Sequence, residues 1–302
     1  LAFVPNVTTA VSVLLGSLRL TAGDEVVTTS HAYGAASMAM QRYAVDADAR
    51  VRVAELTLTP DTGEILAAIN EKLTARTRLV LIDQITSMTA RLFDVAAIAR
   101  PLAERGVVVA VDAAHTPGVL DLDVDALADD GVAVWIGNLH KWVCAPPGAA
   151  VLYAAPAARA WLRPLVVSWR EEEGYPTAVT YQGTSNVTSW LAAPAAIALH
   201  EELGWERVRA HGIRLAEQGG QIVADALGTK PIPGDPVPMR LVPFECEERF
   251  AAMAAIREAH PVELAITEYA GDHFVRVRAH LYNTREDYVA LARACAAYVT
   301  HN

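Results

Sequence analysis

Two short runs in this chain carry no polar side chain: residues 79–82 (LVLI) and 107–111 (VVVAV). A strand that is apolar on both of its alternating faces must be covered on both, and sheets of that kind are mostly parallel with helices above and below. The flanking sequence supplies such helices. Ile65, Ile69 and Leu73 recur four apart on one helical face, with Asp61 placed to cap the start. Asp94 caps another helical stretch, which Gly106 ends. Residues 24–29, 51–58, 132–136 and 149–153 read as further strands. The expectation is an α/β fold with a mostly parallel central sheet and helices on both faces.

The pattern changes after residue 188. Residues 189–227 are helical with a break near Gly204, and a cluster at Pro231, Pro233, Pro236 and Pro238 marks the passage to a smaller α+β domain. Strands are expected there near 239–243, 262–267 and 274–279, and helices near 247–258 and 285–300. This gives a large domain over 1–190, connecting helices over 191–230 and a small C-terminal domain over 231–302.

Composition removes several classes. With 53% hydrophobic and 20% charged residues the chain is neither disordered nor low-complexity. A net charge of −10 speaks against a nucleic-acid binder, while leaving room for a local basic pocket that takes a small anion. Three cysteines with no CxxC spacing speak against a disulfide framework or a cysteine zinc site, and fit a reducing, cytoplasmic setting. The longest uncharged stretches, 1–18 and 142–158, are broken by Pro, Gly or Asn, so no membrane span is expected, and no signal peptide is evident. No GxGxxG follows a strand, no Walker A pattern occurs and no metal-ligand spacing is present, so no metal is expected.

The chemistry concentrates in residues 107–153. Asp112 ends one apolar strand with His115 three residues on, and Asn138, His140 and Lys141 end the next. Polar residues at the carboxyl ends of parallel strands occupy the place where such sheets bind ligands. A carboxylate in an apolar setting needs a cationic partner, and a lysine there can serve as a nucleophilic amine. Together they fit pyridoxal 5'-phosphate: the lysine forms the Schiff base and the aspartate keeps the pyridine nitrogen protonated.

Further stretches make the pattern specific: NVTTAV at 6–11, GDEVVTTSHAYGA at 23–35, ITSMTARLFDV at 85–95, YQGTSNVTSWLA at 181–192 and FVRVRAHLYNT at 274–284. With these the chain resembles the fold-type I pyridoxal phosphate enzymes of the class V aminotransferase family, which includes the cysteine desulfurases, and within it the isopenicillin N epimerase-like branch. The resemblance implies that Lys141 carries the cofactor and the proton at the substrate α-carbon, that Asp112 pairs with the pyridine nitrogen, and that His115 reaches the phenolic oxygen. It implies that Tyr33 stacks on the cofactor face and that Ser87 lies near the phenolic oxygen. Thr8 and Thr9, at a helix start suited to an anion, would hold the phosphate with Asn138 and His140. Gly183 and Thr184 would reach the phosphate of a second subunit, making a homodimer with a shared site. Arg276 would bind the α-carboxylate of a small amino-acid substrate.

Residues two apart in a strand face the same way, so Arg278 is expected beside Arg276, reading a second acidic or polar group. Relatives carry several dozen residues ahead of the point where this sequence begins, and the resemblance implies that part of the substrate entrance lies there. Desulfurases carry their sulfur-accepting cysteine just ahead of the carboxylate arginine. Residues 262–273 contain none, so desulfurase activity is not expected. Epimerisation, β-elimination as in a C–S lyase, transamination and decarboxylation stay open, as does an inactive scaffold. The branch includes enzymes of antibiotic pathways.

Overall fold

The computed structural model describes residues 1–301. They form two compact units, residues 1–86 with 93–202, and residues 87–92 with 203 onward. The first unit begins β1 (Ala2–Val4), α1 (Val7–Leu18), β2 (Glu25–Thr29), α2 (Gly34–Asp46), β3 (Arg50–Ala54), α3 (Thr62–Lys72) and β4 (Thr77–Asp83). It continues α4 (Val95–Ala103), β5 (Val108–Ala113), α5 (Val124–Asp129), β6 (Val132–Asn138) and β7 (Ala150–Ala154). Two single-turn helices, α6 (Pro156–Arg159) and α7 (Thr177–Thr180), lead to α8 (Thr188–Leu203). The strands make one sheet in the order β1-β7-β6-β5-β4-β2-β3. From β2 to β6 every pairing is parallel, whereas β7 runs antiparallel to β6, and β1 antiparallel to β7.

The apolar runs explain the layering. Leu79, Leu81 and Ala110 face one way and pack with Val11, Leu14 and Leu15 of α1. Their neighbours Val80, Ile82, Val109 and Val111 face the other way, into Ile65 and Ile69 of α3 and Ile98 and Leu102 of α4. Each fully buried aliphatic side chain contributes about 1.5–3 kcal/mol relative to exposure. The helices start where their caps demand: Asp61 accepts from the Glu64 N–H at 2.8 Å and Asp94 from the Ala97 N–H at 3.1 Å. Such a cap contributes about 1 kcal/mol. The strands end together, with Asp83 opposite Asp112 across β4–β5 and Asp112 opposite Ile136 across β5–β6. The sheet thereby brings both carboxylates to one edge.

The second unit holds α9 (Trp205–Leu227), β8 (Met239–Pro243), α10 (Arg249–Ala259), β9 (Ile266–Tyr269), β10 (Asp272–Arg278) and α11 (Arg285–His301). Its strands form an antiparallel sheet, β8-β10-β9. Val242, Val275 and Val277 pack against Leu215, Val223 and Cys295.

The structure departs from the sequence reading in three places. The strand expected over 51–58 stops at Ala54, because β3 is an edge strand paired with β2 alone. The strand expected near 262–267 lies at Ile266–Tyr269, where it pairs with Asp272–Val275. The segment read as connecting helices divides at residue 203, α9 packing into the second unit, and Ser87–Leu92 joins that unit as well. The bonds are specific: Arg91 Nη1 donates to the Pro233 carbonyl at 2.6 Å, and the Leu92 N–H to Asp235 Oδ2 at 2.8 Å. Among the described residues no helix is long and apolar enough to cross a membrane.

Candidate active site

Asp112, His115, Asn138, His140 and Lys141 lie at the carboxyl edge of the first unit's sheet. Asp112 is buried at the end of β5; its Oδ1 accepts from the Ala114 N–H at 3.0 Å, and its Oδ2 has no partner. Burial holds its carboxyl above the usual carboxylate range. Beside it stands Asp83, pushed further up by burial and then by the charge of Asp112, with Lys141 acting against both shifts. The Tyr33 backbone N–H also bonds this carboxylate. An unpartnered buried carboxylate oxygen is costly unless a donor, preferably a charged one, comes to it.

His115 lies in the turn after β5 and touches two residues of the loop after β6. Lys141 Nζ is 3.0 Å from its Nε2, and the Trp142 indole N–H donates to its Nδ1 at 3.2 Å. An indole N–H can only donate, so Nδ1 is the acceptor and the imidazole proton sits on Nε2. Nε2, the ring nitrogen that carries the proton, is then the one 3.0 Å from Lys141 Nζ. The two loops are pressed together by backbone as well. Gly118 has φ +86, and a Cβ there would lie 2.9 Å from the Trp142 carbonyl carbon.

The loop carrying Lys141 leaves and rejoins the sheet at the same edge. Leu139 and His140 both donate their N–H to the Ala149 carbonyl, at 3.0 and 3.3 Å, and the Ala145 N–H donates back to Leu139 at 3.1 Å. The His140 ring adds a bond from Nδ1–H to the same carbonyl at 2.8 Å. This leaves Nε2 as the outward nitrogen, and burial lowers the imidazole pKa.

The first turn of α1 has the features of an anion site. Asn138 Oδ1 accepts the Val7 N–H at 3.1 Å, and the N-cap Asn6 takes the Thr9 N–H at 2.8 Å. Among the described residues the Thr8 N–H and the two threonine hydroxyls have no hydrogen bond, and they stand at the positive end of the helix dipole, where they could hold an anion. Asn138 thus ties the helix to the end of β6, keeping its Nδ2 for other use.

The remaining residues lie as follows. Tyr33, at the start of α2, is 41% exposed. Gly183 (φ +96) and Thr184 sit on the surface by Val167, Trp169 and Tyr181, with Val167 78% and Trp169 93% exposed. Ser87, Arg276 and Arg278 belong to the second unit. There the Ser87 carbonyl and Oγ both accept from Arg276 Nη1, the latter at 3.0 Å. Ser87 therefore serves Arg276, a partner the sequence did not suggest. Sequence reading also passed over Asp83, which becomes conspicuous only through its register with Asp112, and Trp142, which adjoins Lys141 but acts on a residue 27 positions away.

A mostly parallel sheet with a buried aspartate, a histidine and a lysine gathered at its carboxyl edge, beside a helix start open to an anion, defines a fold-type I pyridoxal phosphate enzyme. The chain belongs to the aminotransferase class-V family, whose model matches residues 1–232. It is 30% identical to the isopenicillin N epimerase of Streptomyces clavuligerus over 98% of this chain and 79% of that one. It is 26% identical to a probable cysteine desulfurase of Methanothermobacter thermautotrophicus over 95% of this chain and 76% of that one. The solved cystine C–S lyase C-DES, in complex with its reaction product cysteine persulfide, matches with a TM-score of 0.81 at 22% identity, over 98% of this chain and 81% of that one. The family's cofactor is pyridoxal 5'-phosphate, and the residues fit it: the partnerless Asp112 Oδ2 is the acceptor a protonated ring nitrogen requires.

Proposed function

We propose that this chain is a pyridoxal phosphate-dependent enzyme acting at the α-carbon of an amino acid or an amino-acid-bearing metabolite, in the manner of an isopenicillin N epimerase. One observation carries the reading: a buried carboxylate oxygen with no partner, in the same unit as a lysine amine 3.0 Å from the histidine nitrogen that carries the proton. When bound, the cofactor supplies an electron sink for the bond broken at the substrate α-carbon. Lys141 would hold the cofactor and then move the proton at that carbon. Asp112 would take the ring nitrogen and His115 the phenolic oxygen. Thr8, Thr9, Asn138 and His140 would bind the phosphate, and the Tyr33 ring would cover the cofactor face. Arg276 would bind the substrate carboxylate. The exposed apolar residues around Gly183 and Thr184 support a homodimer in which these two reach the partner's phosphate.

A second reading is cleavage of a carbon–sulfur bond by β-elimination, supported by the likeness to a protein named as a cysteine desulfurase. The absence of cysteine from residues 262–273 favours elimination over sulfur transfer to the protein.

The test is the visible spectrum of the full chain supplied with pyridoxal phosphate, then product analysis on a panel of amino acids and cysteine conjugates. We expect a visible band that is lost in Lys141→Ala, and loss of optical rotation without keto-acid release. Released thiol with a keto acid would turn the assignment to the lyase. A protein that stays colourless would overturn both readings and leave a scaffold.

A further inference from the structure

Asp83 ends β4 much as Asp112 closes β5, and the two are partners across the pair of strands. Partners on neighbouring parallel strands point to the same face of the sheet. The alternation along each strand says which face. Leu79 and Leu81 of β4 and Ala110 of β5 pack with Val11 and Leu14 of α1 and Met40 of α2, so Asp83 and Asp112 continue that row. Asn138 continues it on β6 beyond Val134 and Ile136, and it meets α1 by taking the Val7 N–H at 3.1 Å. Asp83 and Asp112 are only 4% and 3% exposed, so the two acids stand side by side away from water.

Two carboxylates in such a place do not both ionise, because burial disfavours each charge and each charge disfavours the other. The groups that bear on Asp83 are Asp112 from β5, Lys141 from the loop after β6, the Tyr33 N–H from the start of α2, and its own N–H. Burial raises both pKa values, and the charge of Asp112 raises that of Asp83 further, against Lys141 and the Tyr33 N–H. Asp83 is therefore the acid of the pair and Asp112 the carboxylate. A protonated carboxyl still accepts through its carbonyl oxygen, so the bond from Tyr33 is kept. That bond matters to α2. Its N-cap residue, Tyr33, makes no side-chain cap bond, and its first turn holds no acid. In a capping box a carboxylate within the helix takes the N-cap N–H. Here a carboxyl at the end of a strand does so instead.

We propose that Asp83 is a positioning residue of the cofactor site: as the protonated member of the pair it leaves Asp112 as the carboxylate that meets the ring nitrogen, and by taking the Tyr33 N–H it fixes the start of α2, from which the Tyr33 ring would cover the cofactor. This role rests on the function proposed above and adds a residue to it. Two uncharged replacements in the full chain test it. Asp83→Asn keeps the shape and the acceptor for the Tyr33 N–H, whereas Asp83→Leu keeps neither the acceptor nor any other polar atom. In a visible titration with pyridoxal phosphate at neutral pH, Asp83→Asn should bind within about threefold of wild type and Asp83→Leu about tenfold more weakly, the worth of one hydrogen bond. The infrared spectrum of the cofactor-free protein reads the proton itself. Wild type at neutral pH should show the stretch of a protonated carboxyl, shifted in deuterium oxide and missing from Asp83→Asn. An Asp83→Leu variant that binds like wild type, or an Asp83→Asn variant as weak as Asp83→Leu, would overturn the positioning role. A wild-type spectrum without the stretch, or a stretch that survives in Asp83→Asn, would overturn the placing of the proton. The two proposals fail separately. A protein that stays colourless with pyridoxal phosphate yet loses the stretch in Asp83→Asn would sink the catalytic reading and keep the proton on Asp83. A coloured, active enzyme indifferent to Asp83→Leu would do the reverse.

Discussion

Gly118→Ala tests whether the His115 turn and the Lys141 loop are held in register by backbone contact. At φ +86 an alanine costs about 1–2 kcal/mol in main-chain conformation alone. Its Cβ would also lie 2.9 Å from the Trp142 carbonyl carbon and 3.0 Å from the carbonyl oxygen. Ordinary carbon contacts need about 3.5 Å, so the segments must part by roughly 0.6 Å. Overpacking of that kind adds about 1–3 kcal/mol. Gly106→Ala is the matched control: its φ is +75 and nothing lies within 4 Å of the position a Cβ would take. It carries the conformational cost without the collision. Urea denaturation should show Gly118→Ala losing about 2–5 kcal/mol and Gly106→Ala about 1–2. The same displacement would stretch the Trp142–His115 bond past hydrogen-bonding range from its present 3.2 Å. A visible titration should therefore show weaker pyridoxal phosphate binding in Gly118→Ala only. Equal stability losses within 0.5 kcal/mol and equal cofactor affinities in the two variants would refute the reasoning.

Two further substitutions probe the same edge of the sheet. Trp142→Phe removes the only kind of group an indole offers a hydrogen bond, leaving buried Nδ1 without that donor at a cost of about 1–3 kcal/mol; selective 15N NMR should show His115 changing from one tautomer to a mixture, and an unchanged spectrum would refute the assignment. Asp83→Asn should stabilise the cofactor-free protein in a pH-dependent way. Because burial and Asp112 raise the Asp83 pKa, the native state holds a proton that the unfolded chain releases above 3.8. Wild type then loses stability as pH rises from there to the native pKa, and the asparagine variant escapes that loss. Melting curves should coincide near pH 4 and separate with increasing pH.

The legible parts of the fold were those in which one residue type answers to one local demand. The runs at 79–82 and 107–111 revealed a doubly covered sheet because both faces of β4 and β5 meet aliphatic helices. Asp61 and Asp94 marked helix starts because a cap acts within three residues. Alternation in Val51 and Val53 overstated β3, since the length of an edge strand is set by its one neighbour, which ends at Thr29. In the candidate site, Asp112 and Lys141 were visible because each lies at or just beyond the end of an apolar strand, within three residues of a histidine. Asp83 was not, for its significance lies across the sheet in a register that no local pattern reports. Trp142 drew no notice, because its single polar atom finds a partner only when two loops meet. Ser87 was read for the cofactor, and the bond its hydroxyl oxygen accepts from an arginine 189 positions later could be seen only in the fold.

The reversal of β7 against β6 bears on how this site can change over generations. Because residues 139–149 depart from and return to one edge, closed at the neck through the Ala149 carbonyl, the lysine hangs from a short ring of chain rather than from a link between sheet and helix. Insertions in the turns at the far edge of the sheet would leave the root of Lys141 where it is. A single residue added inside the ring would change which side chain stands at its crown. Variation in such a lineage should therefore accumulate everywhere around this loop and spare its length.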